Sequence, residues 1–125
     1  MAVTFHIVDP ITLEAAADHS ANQYRFVTCN SSGQAALAGA GLNAVGVLQN
    51  ADANAVGKAC TVVTDGVTKV RAGAAVTAGA KVMSNATGLA VTATATNHVC
   101  GTALTAAAGA NEYIVVKLAF QGILA

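Results

Sequence analysis

From Tyr24 to the last residue, short apolar runs are broken by turn residues about every eight to twelve positions, the spacing of an all-β domain. Tyr24-Arg25-Phe26-Val27-Thr28-Cys29 alternates, Asn30-Ser31-Ser32-Gly33 offers a turn, and Gln34–Ala38 returns as a partner strand. Ala44–Leu48 is the next run, and a polar, alanine-rich link leads through Gly57 to Ala59–Thr64. Asp65-Gly66 then precedes Val67–Arg71. Asp-Gly between two β-branched runs predicts a tight hairpin, because such a turn needs φ > 0 at both central residues. The expected fold is therefore all-β: a small single-domain β-barrel of short strands and hairpins.

Val70, Gly73, Val76, Gly79 and Val82 recur every third residue. A helix needs a period of about 3.6 and collagen needs proline, so the spacing predicts a strand, a glycine-relieved turn and another strand, with valines facing a small barrel. Lys81–Met83, the turn Ser84–Gly88 and Leu89–Ala93 follow. The last two strands are His98–Leu104 and Glu112–Leu118, the final one so apolar that it reads as central and covered on both faces. Val45-Gly46-Val47-Leu48 with its alanine-rich link is echoed by Cys100–Leu104 with Ala106–Gly109. The echo reads as two similar strand–link–strand units within one barrel.

The first residues differ from the rest. Val3-Thr4-Phe5-His6-Ile7-Val8 has strand character, and Asp9-Pro10 predicts a helix start, with aspartate as cap and proline in the first turn. The chain thus divides into residues 1–22, an N-terminal arm or a first strand with a short helix, and residues 23–125, the barrel.

Composition narrows the function. Alanine supplies 30 of 125 residues, valine 16, threonine 13 and glycine 12; six Lys/Arg balance six Asp/Glu. High hydrophobicity with little charge argues against disorder, and the absence of a positive surplus argues against nucleic-acid binding. No basic segment precedes Arg25 and no apolar run reaches about 18 residues, which points to synthesis in a cytoplasm and to no membrane span. Cys29, Cys60 and Cys100 read as reduced thiols acting as small buried hydrophobes, with an intersubunit disulfide as the alternative.

Catalytic chemistry is not visible. Asp9, Glu14, Asp18, Asp52, Asp65 and Glu112 form no acid/base pair, and the serines lie in turn-like segments without a nucleophile elbow. His98 and Cys100 share a strand face, but there is no close Cys-x-x-Cys knuckle, so no metal is expected and His98 reads as a strand histidine with a local hydrogen bond. His6 and His19 carry no motif. Gly57-Lys58 fails as a phosphate loop, with Asp52 where glycine is needed and Ala59 where Ser or Thr is needed. The valine–glycine spacing also occurs in biotin- or lipoate-carrying domains, but Lys69 lies down the return strand, not at a hairpin tip. The expectation is a non-enzyme without cofactors.

The order of these parts resembles the capsid decoration, or cement, proteins of tailed bacteriophages, the group once labelled predicted phage recombinase. The resemblance runs from about Tyr24 to Leu118. It rests on the Asn30–Gly33 turn, Gly46-Val47-Leu48 with its link, Asp65-Gly66, Val70–Gly79, Ser84–Gly88, Gly101-Thr102-Ala103-Leu104 and Ala108-Gly109. It implies a small all-β protein, a β-barrel or β-tulip-like fold, on the outside of an expanded phage head, bridging major capsid subunits without catalysis. The failed phosphate loop speaks against the recombinase label. Partner contacts are expected from Val3, Thr4, Phe5, His6, Ile7 and Val8, and secondarily from Gly122–Ala125. Self-association is expected, as a trimer ahead of a dimer, and the competing function is a receptor- or carbohydrate-binding module of a viral fibre or spike.

Overall fold

The computed structural model describes residues 10–124, and these contain strands and turns but no helix. The strands are β1 Pro10–Ala15, β2 Phe26–Cys29, β3 Gln34–Leu37, β4 Gly46–Leu48, β5 Ala59–Val63, β6 Gly66–Arg71, β7 Lys81–Ser84, β8 Ala90–Thr92, β9 His98–Ala103 and β10 Tyr113–Ile123. The first five close a barrel in the order β1-β3-β2-β4-β5, and the other five form a sheet in the order β6-β10-β9-β7-β8. The all-β expectation and nearly every strand position hold.

Three local expectations fail. The helix expected after Asp9-Pro10 is strand β1, antiparallel to β5 and parallel to β3. Both backbone edges of β1 find partners there, and proline is admissible as a strand's first residue. The Asp65-Gly66 hairpin does not form either. Gly66 has φ +102° but Asp65 has no positive φ, so β5 stays in the barrel and β6 crosses to the other sheet. The final strand lies inside its sheet, between β6 and β9, but is covered on one face only. Ile114, Val116 and Leu118 are buried, whereas Tyr113 and Lys117 are exposed.

The echo seen in the sequence is part of a larger correspondence between the halves. In β1–β5, Ala15 N–H donates to Lys58 O and Gly57 N–H to Ala15 O (2.8 and 2.9 Å); in β6–β10, Ala72 N–H donates to Glu112 O and Asn111 N–H to Ala72 O (both 2.7 Å). The parallel pairing Ala15↔Ala35 recurs as the bridge Ala72↔Ala90, and Val27↔Gly46 recurs as Val82↔Gly101. The Asn30–Gly33 and Asn85–Gly88 turns are built alike: each asparagine Oδ1 accepts two backbone N–H groups, from Ser32 and Gln34 in one and from Thr87 and Leu89 in the other. Gly46 and Gly101 also match. A Cβ on either would lie 2.4 Å from a carbonyl oxygen, that of Val63 or Lys117, so only glycine lets these strand pairs approach. The molecule is thus one five-stranded plan used twice.

Packing follows the same plan. The first barrel encloses Ala15, Val27, Ala35, Leu48, Ala53, Cys60 and Val62. Their counterparts Ala72, Val82, Ala90, Ala103, Ala107, Ile114 and Val116 lie in a second core. That core also takes in Phe26, Val47 and Val63 from the outer surface of the first barrel, so it joins the halves. The matching outer positions of the second half are Lys81, Thr102 and Lys117, which are exposed or half-buried. One face is therefore apolar where it meets the other half and charged where it meets water. Val70, Val76 and Val82, the valines of the three-residue spacing, are all buried in the joining core. His19 is also buried: its Nε2 donates to Ala35 O (2.7 Å) and its Nδ1 accepts from Asn22 Nδ2 (2.8 Å). Only the Nε2–H neutral tautomer makes both bonds, since a carbonyl cannot donate and an amide nitrogen cannot accept.

Candidate interaction surface

The residues expected to make partner contacts, Val3, Thr4, Phe5, His6, Ile7 and Val8, lie outside the described residues. Of the second candidate segment, Ile123 is 62% exposed at the end of β10, opposite His98. The described residues contain no pocket and no group of three His, Cys, Asp or Glu placed to hold a metal.

Of the described carboxylates, Glu14 is exposed on β1 and the other four lie in local turns or links. Asp18 accepts from the Ser20 hydroxyl (2.7 Å) and backbone N–H (2.9 Å), which together hold its carboxyl below the ordinary aspartate value. Asp52 accepts from Asn50 Nδ2, Asp65 from Gly66 N–H and Glu112 from Ala108 N–H. Cys60 and Cys100 are buried free thiols, as expected, but Cys29 is exposed: it shares the strand face of the buried Val27, yet it ends β2 beside the Asn30–Gly33 turn. Burial pushes the Cys100 thiol up to about 11 and Cys60 in the same direction. The side-chain hydrogen bond expected at His98 is missing at Nδ1, which is buried without a partner; the backbone N–H of that residue donates to Gly41 O.

What the fold does assemble is a basic, aromatic surface on the second sheet. Alternation along β6 and β10 turns Val70, Ile114 and Val116 inward, and so turns Lys69, Arg71, Tyr113, Val115 and Lys117 outward. Register then sets Arg71 beside Tyr113, Lys69 beside Val115, and Lys117 beside both Val67 and Thr102. Tyr24, from the segment before β2, reaches this face: its ring meets Tyr113 edge-on at 5.6 Å and 88°. The Lys69 ammonium lies over both rings, 5.0 Å from the centre of Tyr24 and 5.1 Å from that of Tyr113. Arg25 donates from Nη1 to Thr87 O (3.1 Å), while Arg25 Nε and Arg71 Nε are buried without partners. Partial burial, and then the charge of Arg71, make the Arg25 guanidinium easier to deprotonate than usual, though a guanidinium stays charged in proteins. Tyr113 is 49% exposed and Leu104, farther along the face, 43%.

The zero net charge conceals an uneven distribution. Before Gly66, Asp9, Glu14, Asp18, Asp52 and Asp65 outnumber Arg25 and Lys58; after it, Lys69, Arg71, Lys81 and Lys117 outnumber Glu112. That split, with the alternation that sets Lys69 and Arg71 on one strand face, is the sequence signal for this surface; the joining of residues 24 and 25 to 69, 71 and 113 is a product of the fold.

No curated protein and no solved structure matches the chain. A family model described as phage cement protein matches residues 8–118, from just before β1 through most of β10. That match spans both halves of the duplicated architecture, and the chain belongs to the phage cement protein family.

Proposed function

We propose that this protein binds the outer surface of an expanded bacteriophage capsid and cements neighbouring major capsid subunits, without catalysing a reaction. The observation that carries this reading is the family match over residues 8–118, which makes the chain a phage structural protein. The physical chemistry of the chain is consistent with it. A core built mainly of valine and alanine buries modest area per side chain, so attachment to a shell adds stability by linkage. On an icosahedral lattice many weak contacts act together, because each tethered contact raises the effective concentration of the next. A trimer suits three-fold positions of such a lattice.

The test is co-sedimentation of the purified protein with expanded, undecorated heads. Saturable binding at a fixed small ratio to the major capsid protein, with greater heat resistance of the heads, is the expected result. No binding to correctly expanded heads overturns the reading. Equilibrium sedimentation of the free protein reads the oligomeric state, and a monomer at all concentrations removes the trimer.

A further inference from the structure

Tyr24 occupies a position where the fold itself calls for glycine. Its counterpart in the second half is Gly79: Tyr24 N–H donates to Leu48 O and Gly79 N–H to Ala103 O, both at 2.7 Å, and Leu48 and Ala103 are themselves matched. The two residues have φ of +63° and +88°, a left-handed conformation that disfavours any bulky side chain. Gly79 shows what the turn requires. The tyrosine therefore brings something that the turn does not need, and what it brings is a ring set against Tyr113 and under the Lys69 ammonium.

Around this ring lie two guanidiniums, Arg25 and Arg71, each with a buried Nε that has no partner. Among the described residues no carboxylate forms an ion pair with Arg25, Lys69 or Arg71. The residues come from both halves and are pinned at the seam, where Arg71 N–H donates to Tyr24 O (2.8 Å). Tyrosine and arginine on a preformed, partly desolvated platform are the residue types that dominate protein interfaces.

We propose that the Tyr24–Tyr113–Lys69 cluster, with Arg25 and Arg71, is the point at which this protein docks on the shell, and that it takes an acidic, carboxylate-bearing segment of the major capsid protein. The inference rests on the capsid-binding reading above. A guanidinium pairs with a carboxylate through parallel N–H···O bonds, and the tyrosine rings supply apolar cover that strengthens them. A second copy of this chain is a poorer occupant: Asp18, Asp52, Asp65 and Glu112 are each engaged in their own turns, which leaves Glu14, exposed on β1, as the one described carboxylate outside such a turn.

The experiment compares the full chain with Tyr24→Gly and Arg71→Gln in co-sedimentation with expanded heads, at low and high salt, beside thermal melts of each. Tyr24→Gly installs the residue that the matched turn already uses, so cooperative melting is expected to persist while head affinity falls about tenfold or more. Arg71→Gln is expected to lose affinity similarly, and it decides the question if Tyr24→Gly fails to fold. Wild-type affinity is expected to drop with salt. Binding of both folded variants at wild-type strength, or wild-type binding indifferent to salt, overturns the docking assignment and leaves the capsid reading intact. Variants that lose self-association yet bind heads normally also overturn it, and place the cluster between copies. Failure of the wild type to bind at all overturns the capsid reading, and the docking assignment with it.

Discussion

Tyr24 and Gly79 hold the same left-handed position in the two halves of this protein, each donating its backbone N–H to the matching strand at 2.7 Å. The pair separates what the turn demands from what the surface uses. A Cβ at Gly79 would meet nothing within 4 Å, so only backbone conformation opposes a side chain there. Gly79→Ala should therefore cost about 1 kcal/mol in urea denaturation, the ordinary penalty for a left-handed L-residue.

Gly46 and Gly101 should behave differently. Their added Cβ atoms would meet backbone carbonyl oxygens, which cannot turn aside without parting β4 from β5 or β9 from β10. Gly46→Ala and Gly101→Ala are each expected to destabilise by about 3 kcal/mol or to prevent folding. Denaturant midpoints, or soluble yield where no fold is recovered, would measure this. A loss as small as that of Gly79→Ala would contradict the close approach.

The two asparagine turns provide a matched comparison. Asn30→Ala and Asn85→Ala each remove an acceptor for two backbone N–H groups at the start of a returning strand. Each should lose about 1 kcal/mol, and the double variant should show an additive loss because the turns lie in different halves. Chemical denaturation of the three variants reads the effect.

The cysteines should separate by reactivity. Near about pH 8 a disulfide-exchange reagent is expected to label Cys29 alone in the folded protein, and all three thiols after unfolding. Burial raises the Cys100 thiol from its ordinary 9.0 to about 11. Between these values the unfolded chain gives up this proton while the folded chain keeps it, so stability is complete below pH 9 and falls as pH rises. The loss across the window is about 3 kcal/mol, and Cys100→Ala should flatten that part of the pH–stability curve.

The candidate surface was scarcely legible in the sequence. Lys69 and Arg71 could be placed on one strand face by alternation, but nothing local connects them with Tyr24 or Tyr113. The failed hairpin shows why. Asp65-Gly66 has the composition of a tight turn, but a turn forms a hairpin only if its flanking strands prefer each other. Here β5 pairs with β1 and β4, and β6 pairs with β10. Pro10 makes the same point from the other side, since two partner strands override a helix-start signal that carries about 1 kcal/mol.

By itself, the sequence determined where strands and turns fall, the all-β class and the small-residue core. Those are local properties: alternation, glycine and asparagine at turns, and side chains small enough for narrow barrels. Tertiary structure alone decided which strands pair, that the Gly46 and Gly101 echo extends into a repeated five-stranded plan, and that Tyr24, Arg25, Lys69, Arg71 and Tyr113 share one face. Backbone hydrogen bonding is chemically alike in every strand. The choice among partners therefore rests on how whole faces pack, and that choice brings distant residues into one site.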